Sequence, residues 1–269
     1  MTHLRILTWN INSVRLRLPL LQKLVVEHAP DIICLQETKC PDELLPQKAL
    51  MALGYPYLVF SGMKGYNGVL IMSKLPLTEP NIYERVLKKD SRHVEASFEL
   101  GDKKVTLHNL YIPAGGDIPD VEINEKFAHK LGFVREMTEW FPVRHTAEEY
   151  VITLGDFNIA PLEHDVWSSK QLRDVVSHTA IEREHMQQMI GSLNWVDVAR
   201  HRIPHDEKVY SWWSYRNQDW RKSNRGRRLD HIWVTPNLTD SIHDFVILKD
   251  VRDWTQPSDH VPVVLDLKL

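Results

Sequence analysis

Residues 150–158 read Tyr-Val-Ile-Thr-Leu-Gly-Asp-Phe-Asn, an apolar run that stops at Gly155 and is followed by two polar residues two positions apart. The alternation over 151–155 predicts a buried strand. Asp156 and Asn158 then stand at its C-terminal end, on the same side of an extended chain. A carboxylate there can remove a proton or hold a metal, and an amide can donate a hydrogen bond to an oxyanion. Gly-Asp-x-Asn is also an ordinary Asx turn, so the segment alone assigns no function. Its weight changes because similar strand ends recur along the chain.

With 269 residues the chain can bury a substantial core, as one large domain or two small ones. No run approaches the roughly 18 apolar residues of a membrane span. The opening Met-Thr-His-Leu-Arg-Ile-Leu-Thr-Trp lacks the apolar stretch of a signal peptide. Cys34 and Cys40 are the only cysteines and form no Cys-x-x-Cys pair. That argues against a zinc site and for a reducing, cytoplasmic setting. A net charge of −3 does not advertise a polyanionic partner. Residues 221–228, however, read Arg-Lys-Ser-Asn-Arg-Gly-Arg-Arg, with five basic residues and no acid. A solvated loop accounts for most charge runs; Gly226 and the flanking tryptophans give this one the character of a phosphate-facing loop.

Taken in order, residues 4–9 suit a strand, 17–29 an amphipathic helix closed by Pro30, and 31–37 a short strand ending on Glu37. A short helix is expected from Pro41 through Ala52, then strands at 57–60 and 68–73 around a glycine-rich turn. Residues 93–99 and 104–111 read as a hairpin over Gly101-Asp102. A long helix follows from Ile123 to Phe141. Residues 160–170 read as a polar loop, and 180–190 as a helix that Gly191 closes. Strands are expected at 229–235 and 242–248. With no linker in sight, the pattern predicts one α/β domain of two packed sheets over the whole of 1–269.

Several predicted strands end on polar residues of one chemical type: Asn10, Glu37, Tyr111, Asp156 with Asn158, Asp230, and Asp259 with His260. Each could be incidental, and an Asp-His pair near a C-terminus is more often a surface pair than a catalytic one. Together they fit metal-assisted phosphodiester hydrolysis. Carboxylate and carbonyl oxygens such as Glu37, Asp259 and Asn10 are hard ligands suited to Mg2+ or Mn2+. An Asp can deprotonate the attacking water, and a His backed by an Asp can hold a phosphate oxygen.

Thr8-Trp9-Asn10-Ile-Asn12-x-x-Arg15, Leu35-Gln36-Glu37-Thr-Lys39, Gly65-Tyr-Asn-Gly68, Leu110-Tyr111-x-Pro113, Gly155-Asp156-Phe-Asn158-Ile-Ala-Pro161, Arg228-Leu-Asp230 and Ser258-Asp259-His260-x-Pro262 follow one another from residue 8 to 262. In these motifs the chain resembles the exonuclease III family of AP endonucleases, within the endonuclease/exonuclease/phosphatase superfamily. The resemblance implies a deoxyribonuclease I-like fold, a four-layered α/β sandwich of two mixed sheets flanked by helices. It implies a Mg2+-dependent enzyme acting on duplex DNA with abasic sites or damaged 3′ ends, as a monomer with no membrane partner. Glu37 would be the principal metal ligand, with Asn10 and Asp259 nearby. Asp156 would activate water, and Asn158 would bind the scissile phosphate. His260, oriented by Asp230, would contact that phosphate. Tyr111 would hydrogen-bond it or assist the leaving group. Asp156, Asn158 and His260 are also the candidates for a second metal.

By the same resemblance Trp212 and Leu229 line the substrate pocket, with Trp213 taken as core. Arg15, Lys64, Asn67, Arg225, Arg227 and Arg228 are the candidate DNA contacts; Arg228 could equally be an internal ion-pair partner. Three positions depart from relatives: Asn12 replaces an acid, Ala114 an Asn or Gln, and Arg227 a pocket Trp. Phospholipid and inositol phosphate hydrolases share the Glu, Asp-x-Asn and Asp-His core. They lack the Gly65–Gly68 turn, the Ser211-Trp-Trp segment and the basic run. A DNA-binding module without activity would have lost Glu37, Asp156 or His260.

Overall fold

The computed structural model describes residues 3–217 and 219–268. Twelve strands form two six-stranded mixed sheets. The first holds β1 (His3–Asn10), β2 (Ile32–Gln36), β3 (Tyr57–Ser61), β4 (Val69–Ser73), β11 (Ile242–Ile247) and β12 (Val263–Lys268), in the order β11-β12-β1-β2-β4-β3. The second holds β5 (Thr78–Arg85), β6 (Lys88–Leu100), β7 (Lys103–Tyr111), β8 (Tyr150–Asp156), β9 (Val196–Asp197) and β10 (Asp230–Val234), in the order β5-β6-β7-β8-β10-β9.

The alternating side chains of each sheet divide its residues between two faces. Ile6, Ile32, Cys34 and Ile71 of the first sheet meet Val94, Leu107, Leu154 and Ile232 of the second in one apolar cluster. The outer face of the first sheet carries Leu7, Trp9, Ile33 and Leu35 and is covered by α1 (Leu18–His28) and α2 (Gln47–Ala52). The outer face of the second carries Leu110, Val151 and Trp233, under α3 (Glu125–Arg144) and α5 (Ala180–Ser192). Helix, sheet, sheet, helix is the expected four-layer order.

Within each sheet one central pair is parallel, β1 with β2 and β7 with β8. The strands β10 and β12 run antiparallel to β8 and β1. The C-terminal ends of the parallel strands and the N-terminal ends of β10 and β12 therefore meet on one edge. Register aligns Tyr111 with Asp156 and Asp156 with Asp230. This is why polar residues scattered over 250 positions arrive together.

Three local expectations are corrected, and one strand is added. Pro46 splits the expected helix over 41–52 into a 3-10 turn at Asp42–Leu44 and α2. Gly191 does not close α5, which continues to Ser192. The polar loop 160–170 holds a 3-10 turn at Glu163–Asp165 and the start of α4 (Ser169–Leu172), and Asp165 and Val166 within it are buried. Strand β5 had no sequence signal: it contains Pro80 and pairs on one side only, the edge position where a sheet tolerates proline.

At the far side of the second sheet Arg85, His93, His108, His145 and Glu149 form one hydrogen-bonded chain, with links of 3.1, 3.0, 2.8 and 2.9 Å. Three neutral rings satisfy it without a gap: Arg85 donates to His93 Nδ1, His93 Nε2 to His108 Nδ1, His108 Nε2 to His145 Nε2, and His145 Nδ1 to Glu149. Burial lowers the pKa of all three, His93 and His108 well below the ordinary imidazole value. Unfolded, the same rings take up protons near pH 6.5. The stability they contribute is thus complete above that pH and lost below it, at up to about 1.4 kcal/mol per ring per pH unit. Urea midpoints should fall as pH drops from about 7.5 to 5.5, and His108→Asn should flatten that slope.

Candidate active site

Gly155 is required where β8 reaches the edge. Its φ is +135°, and a Cβ there would lie 1.9 Å from the Leu110 carbonyl oxygen of β7. The close approach brings Asp156 level with Tyr111, and the Ile112 amide donates to the Asp156 carbonyl at 2.9 Å. Asn158 follows with φ +53°, a left-handed conformation that Asn tolerates better than most residues. Its amide N–H donates to Asp156 Oδ1 at 2.9 Å, the Asx turn expected from the sequence. Its side-chain nitrogen donates to Asp156 Oδ2 at 3.2 Å and to the Ile112 carbonyl at 2.9 Å.

Asp156 is fully buried. His260 Nε2 stands 3.6 Å from its Oδ2, and His260 Nδ1 donates to Asp230 Oδ2 at 2.8 Å. Ser211 Oγ also donates to that oxygen at 2.6 Å while accepting the Leu229 and Asp230 amides. Burial alone would lower the His260 pKa, but Asp230 and Asp156 raise it to about 10. Burial raises Asp156 to about 7, opposed by His260 and reinforced by Asp230 and Glu37. The pair is a protonated imidazolium beside a carboxyl group that titrates near neutrality, the range where general acid–base catalysis works best.

Asn10 bridges the two sheets. Its Nδ2 donates to Glu37 Oε1 at 2.9 Å and to Asp156 Oδ2 at 2.8 Å, while its Oδ1 accepts the Asn12 amide at 3.1 Å. Through these bonds it ties Glu37 to Asp156. Tyr111 donates to Glu37 Oε1 at 2.8 Å. Burial, then Glu37 and Asp156, raise the Tyr111 pKa well above the usual value, so the phenol keeps its proton. Glu37, at φ +52°, places Oε2 2.7 Å from Lys39 Nζ. Burial would raise the Glu37 pKa, yet Lys39 and Asn10 hold it below normal, leaving an ionised carboxylate. Lys39 also donates to Asn12 Oδ1 at 2.7 Å; Asn12 Nδ2 donates to Asp259 Oδ1 at 3.2 Å, and Trp212 Nε1 to Asp259 Oδ2 at 2.9 Å.

Asp156, Asp230 and His260 offer donor atoms within 4.8 Å of one another. Of the second metal set that the resemblance implied, Asp156 accepts from Asn158 Nδ2 at 3.2 Å and faces His260 Nε2 at 3.6 Å.

Beside these groups opens a cavity of about 680 Å³ whose lining includes Glu37, Tyr111, Asn158, Asp259 and His260 together with Trp167, Trp212, Arg225, Arg227 and Leu229. Trp212 forms isolated β-bridges to both Arg227 and His260. Trp213 is core. Arg225 lies over the Trp167 ring at 4.7 Å and Arg227 over Trp212 at 5.2 Å. Arg227 is also anchored to Ser177 Oγ at 2.7 Å. Arg228 is corrected from a candidate DNA contact to an internal ion pair. It is 1% exposed, and Asp165 and Asp197 accept its guanidinium at 2.8–2.9 Å. Together Arg228 and Arg200 hold the Asp165 carboxyl at about 2 against the upward pull of burial. Asn67 does not line the cavity; it accepts from Arg92, whose guanidinium stacks on Tyr111 at 4.7 Å. Arg15 and Lys64 are exposed and also lie off it. Sequence reasoning assigned no role to Lys39 or Ser211. Lys39 stood in a quoted motif and Ser211 beside the tryptophans, but their partners lie on other strands.

Residues 7–260 match the model of the endonuclease/exonuclease/phosphatase family. The chain belongs to that family. Within it the exonuclease III branch is the one it joins. It is 28% identical to "Exodeoxyribonuclease III" of Haemophilus influenzae, over 98% of this chain and 100% of that one. An AP endonuclease from Archaeoglobus fulgidus superposes with a TM-score of 0.91 at 30% identity, covering 99% of this chain and 100% of that one. A 3′ phosphatase from Neisseria, solved bound to a product DNA hairpin, gives 0.89 at 30% identity with the same coverage. This member of the family is a hydrolase of the exodeoxyribonuclease III and AP endonuclease type. Asp230→Asn should lower the His260 pKa by roughly 1–3 units in an NMR titration of the imidazole; an unmoved pKa would refute the role of Asp230 in holding the proton.

Proposed function

We propose that this protein is a Mg2+-dependent DNA-repair phosphodiesterase that incises duplex DNA at abasic sites and trims damaged 3′ ends. It acts as a single-domain monomer in the cytoplasm. The observation that carries this reading is the buried group behind the cavity lining: Asp156 stands 3.6 Å from His260, which lines the cavity and which Asp230 holds at 2.8 Å. In this reading Asp156 takes the proton of a water that attacks phosphorus in line. His260 donates to a phosphate oxygen and stabilises the added charge. Asn158 and Tyr111 line the cavity beside it, and on binding their amide and hydroxyl donors would turn from Asp156 and Glu37 to the same phosphate. Glu37 and Asp259 are ionisable oxygen donors in the cavity lining, and no cysteine lines it. That donor set fits a hard divalent cation, Mg2+ with Mn2+ equally suited. Glu37 and Asp259 would hold the ion, which supplies positive charge against the phosphate oxygens.

The aromatic and basic part of the lining supports a nucleic-acid substrate. Arg225 and Arg227 each lie over a tryptophan, giving the wall cations for backbone phosphates and flat surfaces for a sugar or an unstacked base. The Neisseria relative, solved with a product DNA hairpin, supports the same substrate class.

Purified protein with Mg2+ should nick a duplex carrying one abasic site. A duplex left intact with both Mg2+ and Mn2+ would overturn the reading. Asp156→Asn should lower cleavage roughly 10²–10⁴-fold while duplex affinity stays near wild type. Full activity in that variant would show that another group activates the water.

A further inference from the structure

Lys130 lies on α3 and is completely buried. Its three N–H groups find three acceptors: Glu182 Oε1 at 2.5 Å, the Asn158 carbonyl at 2.8 Å and the Ala114 carbonyl at 3.2 Å. Glu182, also completely buried, accepts the Ser177 amide at 2.9 Å, the Thr179 amide at 3.0 Å and the Thr179 hydroxyl at 2.7 Å. One ion pair thus joins the segments carrying Ala114, Asn158 and Ser177, all three of which line the cavity. Ser177 Oγ passes the connection on to Arg227. The lysine stem runs past Gly115, where a Cβ would meet its Cδ at 2.8 Å.

Stability gives little reason for this pair. A buried ion pair is often matched or bettered by apolar residues of equal volume, because desolvation offsets the attraction. What an apolar pair cannot do is hold two carbonyls and a turn in fixed directions. Asn158 has the most to gain, since its left-handed backbone sets where its amide sits beside Asp156.

We propose that Lys130 is a positioning residue of the hydrolytic site, its ammonium fixing the Asn158 and Ala114 carbonyls and, through Glu182, the turn that carries Ser177. The inference rests on the phosphodiesterase reading. Two double variants test it without leaving an unpaired buried charge. Lys130→Met with Glu182→Gln removes every donor to the carbonyls; Lys130→Gln with Glu182→Gln keeps an amide donor. Nicking of the abasic-site duplex in Mg2+ gives kcat and KM, and thermal unfolding reports the fold. The methionine variant should lose at least tenfold in kcat with KM nearly unchanged, and the glutamine variant clearly less at a similar melting temperature. Equal losses in both, or wild-type kcat in the methionine variant, would overturn the role of Lys130. If the methionine variant does not fold, Lys130→Leu with Glu182→Met takes its place: at least a tenfold lower kcat at near wild-type KM supports the role, and wild-type kcat overturns it. Wild-type protein that does not nick at all overturns the phosphodiesterase reading itself, a result separate from either variant outcome.

Discussion

Two carboxylates and one imidazole packed within 4.8 Å of one another, out of water, set the terms for the rest of this molecule. Each charge is costly to bury alone, and together they are tolerable only in a particular protonation state. Asp230 takes the imidazolium as its partner, and Ser211 fixes which oxygen does so. Asp156 is then left facing a cation on one side and the charges of Asp230 and Glu37 behind it. Burial outweighs the cation and lifts it into the neutral range. The base strength of Asp156 is therefore a property of the contact between two sheets.

That contact explains why the architecture has two sheets. Asp156 and Asp230 come from the second sheet, Glu37 and Asn10 from the first, and His260 from the segment leading into β12. Asn10 spans the junction by donating to one acid from each sheet. The apolar layer between the sheets holds them at the spacing of two packed pleated surfaces, about 10 Å. A slip of one residue in β8 would turn Asp156 to the opposite face. Gly155 guards against that slip, because only a residue without a Cβ fits against the Leu110 carbonyl.

The fold and the floor of the site are largely legible in the sequence. Strands announce themselves by short apolar runs, and polar residues just past such runs must lie on a sheet edge. What is not legible follows a physical pattern. Strand β5 is an edge with Pro80 and little apolar alternation, so it has no periodic signal. Arg228 belongs to a basic run, and composition alone cannot separate a solvated cation from one sandwiched between Asp165 and Asp197. Asn67 sits in a glycine-rich turn beside the site, yet its partners Asp90 and Arg92 lie some twenty-five residues on and draw it off the cavity. Lys130 looks like an ordinary charged position of an amphipathic helix until the fold brings Glu182 against it. In each case the missing information is a partner far away in sequence.

Two buried ion clusters outside the catalytic group share a location. Arg228 with Asp165 and Asp197 stands behind the segment carrying Arg227 and Leu229, and Lys130 with Glu182 stands behind Asn158 and Ser177. Both clusters back the cavity wall where segments outside the two sheets, tied only by isolated bridges, must keep one shape. Apolar packing is non-directional and would hold such loops at the right depth without fixing their rotation. Charged hydrogen bonds are directional and stronger than neutral ones. A site that must keep an amide, a guanidinium and a carboxylate aimed at one phosphate gains from that direction even where the fold gains no stability. The same reasoning separates these clusters from the imidazole chain on the far side of the second sheet. That chain joins strands already fixed by their own ladders, and it orders no loop of the cavity.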